Sequence, residues 1–303
     1  AAAWAEPIIR WMDETHEDET IQPADRINVG NRVVSVSIAP VNVGPQYLGA
    51  VSVFRDVTRD VEVDKLKNEF IQRATHELRT PLTPIKGFAS MMLMPNVEMP
   101  DTVRAQVRTI KGNADRLAEL VEDLLTVSKI DAGDTPMNIE LVDMEQIVSV
   151  QLTNAQNLHF DKNINVDFQV ADDLPRASLD RAKAMQIVGN IVDNAFNYTL
   201  DGGNIAIDLK LDPERDRHIL LAVADDGVGI PEPFQDHVWE RFARHEEHVL
   251  EMDIPGTGLG LSIVRNLVNM HGGEVWFETE EGVGTTFYVS LPVEYRRAAR
   301  LQR

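Results

Sequence analysis

The 303-residue sequence predicts a multi-domain chain of α and α+β parts. A β-rich N-terminal segment leads into an antiparallel helical hairpin that pairs with a second copy as a four-helix bundle, and an α+β domain follows with helices over one face of its sheet. Three observations carry this. Residues 26–56 alternate apolar and polar between turn signals, residues 71–128 hold two apolar seams at spacings of three and four, and strand-like and helical stretches interleave beyond residue 146.

In the first part, RINVGNRVVSVSIAPVNVGPQYLGAVSVFRD is broken at Gly30-Asn31 and Gly44-Pro45, which predicts a three-stranded meander, short for a domain of its own. The next segment is helical. Ile71, Thr75, Leu78, Leu82, Ile85, Ala89 and Met92 form one seam. After a break at Pro95-Asn96 and Pro100-Asp101, Val103, Val107, Ile110, Ala114, Leu117, Val121, Leu124 and Ser128 form another. A two-helix hairpin covers only part of such seams, which predicts a homodimer. Gly133 is expected to end the second helix. Strands are then expected in NINVDFQV, NIAIDLK, HILLAVA, EVWFE and TTFYVSL, with helices at 180–198 and 259–271.

Composition narrows the function. With 43% hydrophobic residues the chain can build real cores, and no window reaches the run of about 18 apolar residues that a membrane span needs. The formal net charge of −20 opposes binding to nucleic acid or anionic lipid, so any phosphate ligand must be held by local donors. The absence of cysteine excludes disulfides, thiol catalysis and thiolate metal sites, and fits a cytoplasmic location. The start lacks Met and the layout of a signal peptide, and reads as an excised fragment of a longer chain, free in the cytoplasm or the cytoplasmic part of a membrane protein.

Five stretches could carry chemistry. In THELRTPLTP, His76 follows a seam residue and should face solvent, Glu77 could orient one ring nitrogen, and Pro81 should loosen the helix. A lone exposed histidine is more often an inert surface residue. QIVGNIVDNAFNYT puts Asn190 and Asn194 on one helical face, where a carboxamide oxygen suits a cation that already carries phosphates; polar helix faces also contain Asn routinely. In VADDGVGIP a strand ends in Asp225 followed by Gly227 and Gly229, which suits an amino group such as that of adenine, or an ordinary turn. GTGLGLSIVRNLVNMHGG runs a glycine-rich turn into a helix whose free amides could cradle phosphate, without the residues of a Walker loop or a Rossmann fingerprint. GVGTTF is a glycine turn into a strand, otherwise a plain hairpin.

In this order the five resemble a sensor histidine kinase of two-component signalling, over roughly 61–293. The resemblance implies a dimerisation and phosphoacceptor hairpin (59–133), a linker (134–145), a GHKL-type ATP-binding domain with the Bergerat α/β-sandwich (146–295) and a tail (296–303). Residues 1–58 resemble the last strands of a PAS sensor domain. On this resemblance His76 is the nucleophile, Glu77 its acidic partner and Thr80 the hydroxyl that positions water for dephosphorylating a partner. Asn194 is the Mg²⁺ ligand, with Asn190 in the same box, and Asp225 reads adenine. Gly227, Gly229, Gly256, Gly258 and Gly260 surround the nucleotide, Thr286 lies near the base, and Arg241 and Phe242 belong to the lid's F box. ATP and Mg²⁺ are the implied cofactors, and the receiver domain of a response regulator is the implied partner.

The sequence departs from the family at Asn197, where a phosphate-contacting lysine is frequent, which leaves Arg241 or Arg244 to supply that charge. Trp239 replaces the usual first Phe of the F box, and the lid stretch HEEHVLEMD is acidic. Rival readings are a GHKL ATPase of another type, which HELRTP argues against, and a nucleotide-gated interaction module without kinase activity.

Overall fold

Residues 25–43, 46–132, 135–160, 162–244 and 256–295 are described by the computed structural model. The N-terminal part is the expected meander. Strands β1 (Asp25–Val29), β2 (Arg32–Val43) and β3 (Gln46–Asp56) pair antiparallel in that order, with Gly30 taking φ +63° in the first turn. The second turn signal, Gly44-Pro45, lies outside the described residues. Val36 is buried against Ile27 and Val34, while Val51, Val53 and Phe54 are exposed.

The hairpin consists of α1 (Thr58–Met92) and α2 (Asp101–Asp131), and Gly133, expected to end the second helix, lies outside the described residues. Helix α1 runs through Pro81 and Pro84. Proline has no N–H, so the carbonyls of Glu77 and Thr80 lose their helical partners in the turn after His76. Two ion pairs fix the register of the hairpin, Arg79 with Glu122 at 2.5 Å and Lys86 with Asp115 at 2.7 Å.

The two seams divide. Thr75, Leu82 and Ala89 are buried in the hairpin against a row containing Val107, Ala114, Val121 and Ser128. The alternate positions are open: Leu78, Ile85 and Met92 on α1 and Ile110 and Leu117 on α2 are 40–52% exposed. A sevenfold period that buries one row and leaves the other in water is what a bundle half looks like.

The α+β part continues with β4 (Ile139–Val142), α3 (Met144–Leu158), β5 (Asn165–Val170), β6 (Ala177–Asp180), α4 (Arg181–Tyr198), β7 (Asn204–Leu211), β8 (His218–Asp225), α5 (Glu232–Gln235), α6 (Gly260–Met270), β9 (Glu274–Glu280) and β10 (Gly284–Pro292). The sheet order is β5-β7-β8-β10-β9, antiparallel except for the parallel β5–β7 pair. A second, two-stranded sheet pairs β6 with β4, which arises inside the stretch expected as linker. Four residues, of which only Val142 is buried, are too short a pattern to separate from a loop.

The core joins α3, α4 and α6 to one face of the sheet. Ile147, Ile187, Ile191, Ile207, Leu221 and Ile263 are each no more than 1% exposed. Each such side chain stabilises the fold by roughly 1.5–3 kcal/mol. Helix α4 starts where Asp180 turns the chain out of β6: its carboxylate accepts from the Lys183 N–H at 3.1 Å. Burial pushes the Asp180 carboxyl up, but hydrogen bonds from the Lys183 ammonium and from the Asn138 and Lys183 amides outweigh it and hold the group below its usual range. The asparagine helix is thereby fixed at its start.

Candidate functional site

His76 lies on the exposed face of α1, directly after buried Thr75, and Glu77 and Thr80 are exposed beside it. The Thr80 hydroxyl donates to the His76 carbonyl at 3.0 Å and the Thr83 hydroxyl to the Arg79 carbonyl at 3.0 Å, so both back-bond within the turn that the prolines loosen. The imidazole projects from a helix, with no wall around it. That suits a nucleophile approached by a separate site.

The second half of the site is built on α4, the end of β8 and the start of α6. Asn190 and Asn194 lie one turn apart on α4, both partly buried. The Asn190 amide donates to the Gly260 carbonyl at 3.2 Å, which ties the asparagine helix to the first residue of α6. Asn190 therefore positions the glycine turn, while Asn194 is the next carboxamide along that face. Among the described residues there is no group of three or more His, Cys, Asp and Glu side chains able to hold a metal ion unaided. A neutral carboxamide suits a cation that brings its own phosphate and water ligands.

Asp225 closes β8, paired with Thr285 of β10, and its Oδ1 accepts from the Gly227 N–H at 3.0 Å. Burial pushes the carboxyl up to about 6, against the pull of the Gly227 and Thr285 amides. Gly229 has φ +68°, and a Cβ there would stand 2.2 Å from the Glu280 carbonyl oxygen, so no larger residue fits the turn under Asp225. Thr286 sits next in β10, partly buried.

On the far side, Gly256, Thr257 and Gly258 lead into α6. Phe242 adopts φ +63°, which a phenylalanine tolerates only when held, and its N–H donates to the Gly258 carbonyl at 2.8 Å. Trp239 packs edge-on to Phe287 and tilted to Phe277, with ring centroids 6.2 and 5.8 Å apart, and the Arg265 guanidinium lies 5.9 Å from its ring centre. The larger F-box ring thus fills an aromatic slot. The acidic stretch HEEHVLEMD, residues 245–253, lies outside the described residues.

Of the two arginines that could replace the lysine absent at Asn197, Arg241 is engaged elsewhere. Both its Nη atoms donate to the Asp131 carboxylate of α2, at 2.7 and 2.5 Å. Burial raises the pKa of the Tyr198 hydroxyl at the end of α4, and the Arg244 guanidinium nearby partly offsets this. Arg244 thus lies near the end of the helix that carries Asn197. Lys162, which sequence reasoning passed over, reaches the same helix end, where its ammonium donates to the carbonyls of Phe196, Asn197 and Thr199 at 2.7–3.0 Å. A cation at a helix C-terminus is favourable, but contacts made through backbone carbonyls leave no motif.

Comparisons with known proteins bear on both halves. Residues 66–133 match the His Kinase A (phospho-acceptor) domain, and residues 179–295 match the histidine kinase-, DNA gyrase B- and HSP90-like ATPase. The chain is 31% identical over 250 residues to the sensor histidine kinase WalK of Bacillus subtilis, covering 80% of this chain and 39% of that protein. It is 31% identical over 289 residues to the alginate biosynthesis sensor protein KinB of Pseudomonas aeruginosa, covering 93% and 46%. It therefore spans less than half the length of these relatives. A crystal structure of full-length ShkA in complex with AMPPNP superposes with a TM-score of 0.61 at 26% identity, covering 76% of this chain and 47% of that one.

Proposed function

The chain belongs to the sensor histidine kinases of two-component signalling, and from that premise we propose that it transfers the γ-phosphoryl group of ATP to His76 and then to an aspartate of a response regulator. The observation that carries this is the exposure of His76 on a helix, in the same chain as the Asp225 pocket. Adenine places its amino group on Asp225, and its phosphates lie toward Asn194 and the start of α6. Asn194 would hold Mg²⁺, which offsets the negative charge of the phosphates. One imidazole nitrogen of His76 attacks the γ-phosphorus in line, the bond to the β-phosphate oxygen breaks and ADP leaves. Glu77 holds the other ring nitrogen and accepts its proton as the phosphoramidate forms. The Thr80 hydroxyl, one turn on, would orient water for dephosphorylation of the partner. No helix among the described residues is long and apolar enough to cross a membrane.

Incubation of the chain with γ-labelled Mg·ATP should yield acid-labile, alkali-stable label, absent from His76→Ala. Label that persists in this variant would refute the assignment. Label absent from the wild type despite ATP binding would favour the silent interaction module.

The open row of the hairpin seam is proposed to pack against a second copy. Replacing Leu78 and Ile110 together by Glu should abolish the dimer in sedimentation, because two apolar contacts per chain, each worth roughly 1.5–3 kcal/mol, become buried charges. A double variant that still sediments as a dimer would place the interface elsewhere.

A further inference from the structure

Helix α2 holds the nucleotide-binding face at two points. The Arg241 guanidinium grips the Asp131 carboxylate with both Nη atoms, and the Thr257 hydroxyl donates to Asp123 Oδ2 at 2.7 Å. Asp123 and Asp131 are eight residues apart, or about 12 Å along the helix. Their two partners are joined to each other, because the Phe242 N–H, one residue after Arg241, donates to the carbonyl of Gly258, one residue after Thr257. The two contacts therefore act on one body. The hairpin register set by Arg79–Glu122 and Lys86–Asp115 puts His76 level with the stretch of α2 between these two carboxylates. The nucleotide face is docked alongside the phosphoacceptor with one of its own arginines in use.

A guanidinium fork fits a carboxylate and a phosphate in the same way, two parallel N–H···O bonds in one plane. It cannot make both pairs at once. We propose that Asp131 stands in for a phosphate on Arg241, so that the contacts to Asp131 and Asp123 form a latch that competes with nucleotide. This rests on the nucleotide reading above and adds a regulatory contact to it. Nucleotide binding takes Arg241 from Asp131 and loosens the face from α2; tighter docking weakens nucleotide binding in equal measure. Asp123 is the second anchor. It is partly buried, and burial raises its carboxyl above the usual range while the Thr257 hydroxyl bond offsets part of that shift. Removing one partner leaves the other without compensation, so the two contacts open together.

The size of the effect follows from exposure. The Arg241 and Asp131 side chains are 39% and 32% exposed, so solvent screens their pair, and the coupling to nucleotide should be modest, roughly two- to tenfold in affinity. The test is a fluorescence titration of the full chain with Mg·ATP and, separately, with adenosine. Asp131→Asn, whose amide keeps the shape but loses the charge, should bind ATP roughly two- to tenfold more tightly than wild type, with adenosine affinity unchanged because adenosine has no phosphate to claim Arg241. A locked form checks this independently of that variant's folding. The chain has no cysteine, so Asp123→Cys with Thr257→Cys gives one defined pair. When oxidised it should bind ATP more weakly than when reduced.

Equal or weaker ATP binding by Asp131→Asn would overturn the latch, as would the same gain for adenosine. So would a cysteine pair that fails to form under oxidant, or one that binds ATP equally in both redox states. Failure of wild type and variants alike to bind ATP would instead overturn the nucleotide reading, and the latch with it.

Discussion

Asp225→Asn is expected to raise the unfolding free energy of the ligand-free chain at pH 7 by about 1–3 kcal/mol, and to weaken ATP binding roughly ten- to hundredfold. The two effects share one cause. In the folded chain burial lifts the Asp225 carboxyl from 3.8 to about 6, so at neutral pH the protein keeps a charge in a place that resists it. The unfolded chain ionises the same group freely. A carboxyl whose folded pKa is raised contributes stability below its unfolded value of 3.8, and loses that contribution as pH rises through 6. Asparagine is neutral throughout, and its carboxamide oxygen can still accept from the Gly227 N–H, so the variant escapes the penalty. It also loses the anionic acceptor that an adenine amino group needs. In the wild type ATP affinity should therefore fall as pH drops below about 6, in the range where the apo protein gains stability from this group. Urea unfolding and calorimetric titration at pH 5, 6 and 7 would read both. A variant less stable than wild type at pH 7, or one that keeps its ATP affinity, would sink the account.

What could be read from the sequence, and what could not, follows from distance along the chain. The hairpin was legible because its seams repeat over dozens of residues, from Ile71 to Ser128, and periodicity is a local property. The strand ending in Asp225 and the helix carrying Asn190 and Asn194 were legible for the same reason, with boundaries within two residues of those found. The split of the seam into a buried row led by Leu82 and an open row led by Leu78 needed the partner helix, since periodicity marks both rows alike. Strands β4 and β6 are four residues each, and short apolar runs do not declare their type. Lys162 at the end of α4, Asp131 at Arg241 and Asp123 at Thr257 join residues 34 to 134 apart through side chains with no periodic signature. Function was clearer than any one motif warranted, because five weak signals in a fixed order constrain one another.

The second large effect is expected at a residue no motif marks. His271 follows α6, fully buried, and its ring bridges two elements: Nδ1–H donates to the Leu267 carbonyl at 2.8 Å, and Nε2 accepts from the Asp180 N–H at 3.1 Å. The bond accepted by Nε2 requires the neutral ring. A proton on Nε2 would face another N–H inside the core. Burial accordingly lowers the pKa of His271, partly offset by the Leu267 carbonyl and Asp180. A histidine whose folded pKa is depressed supplies its full stability above the unfolded value of 6.5 and loses it as pH falls below. The sign is opposite to that of Asp225 over the same acidic range, so the two groups are separable only by variants. His271→Phe fills the space but leaves the Asp180 N–H unpaired in the core, a loss of roughly 2–4 kcal/mol once misfit is added. That corresponds to a fall in Tm of roughly 5–15 °C for a domain of this size. Because Asp180 caps the helix that bears Asn194, ATP affinity should weaken with it, although His271 lies outside the nucleotide-binding set. Thermal melts between pH 5 and 8 decide the matter. The wild type should lose stability on the acid side of 6.5 through this residue, and His271→Phe should lack that component. A variant as stable as wild type at pH 8 would show that the Asp180 amide does not depend on this ring.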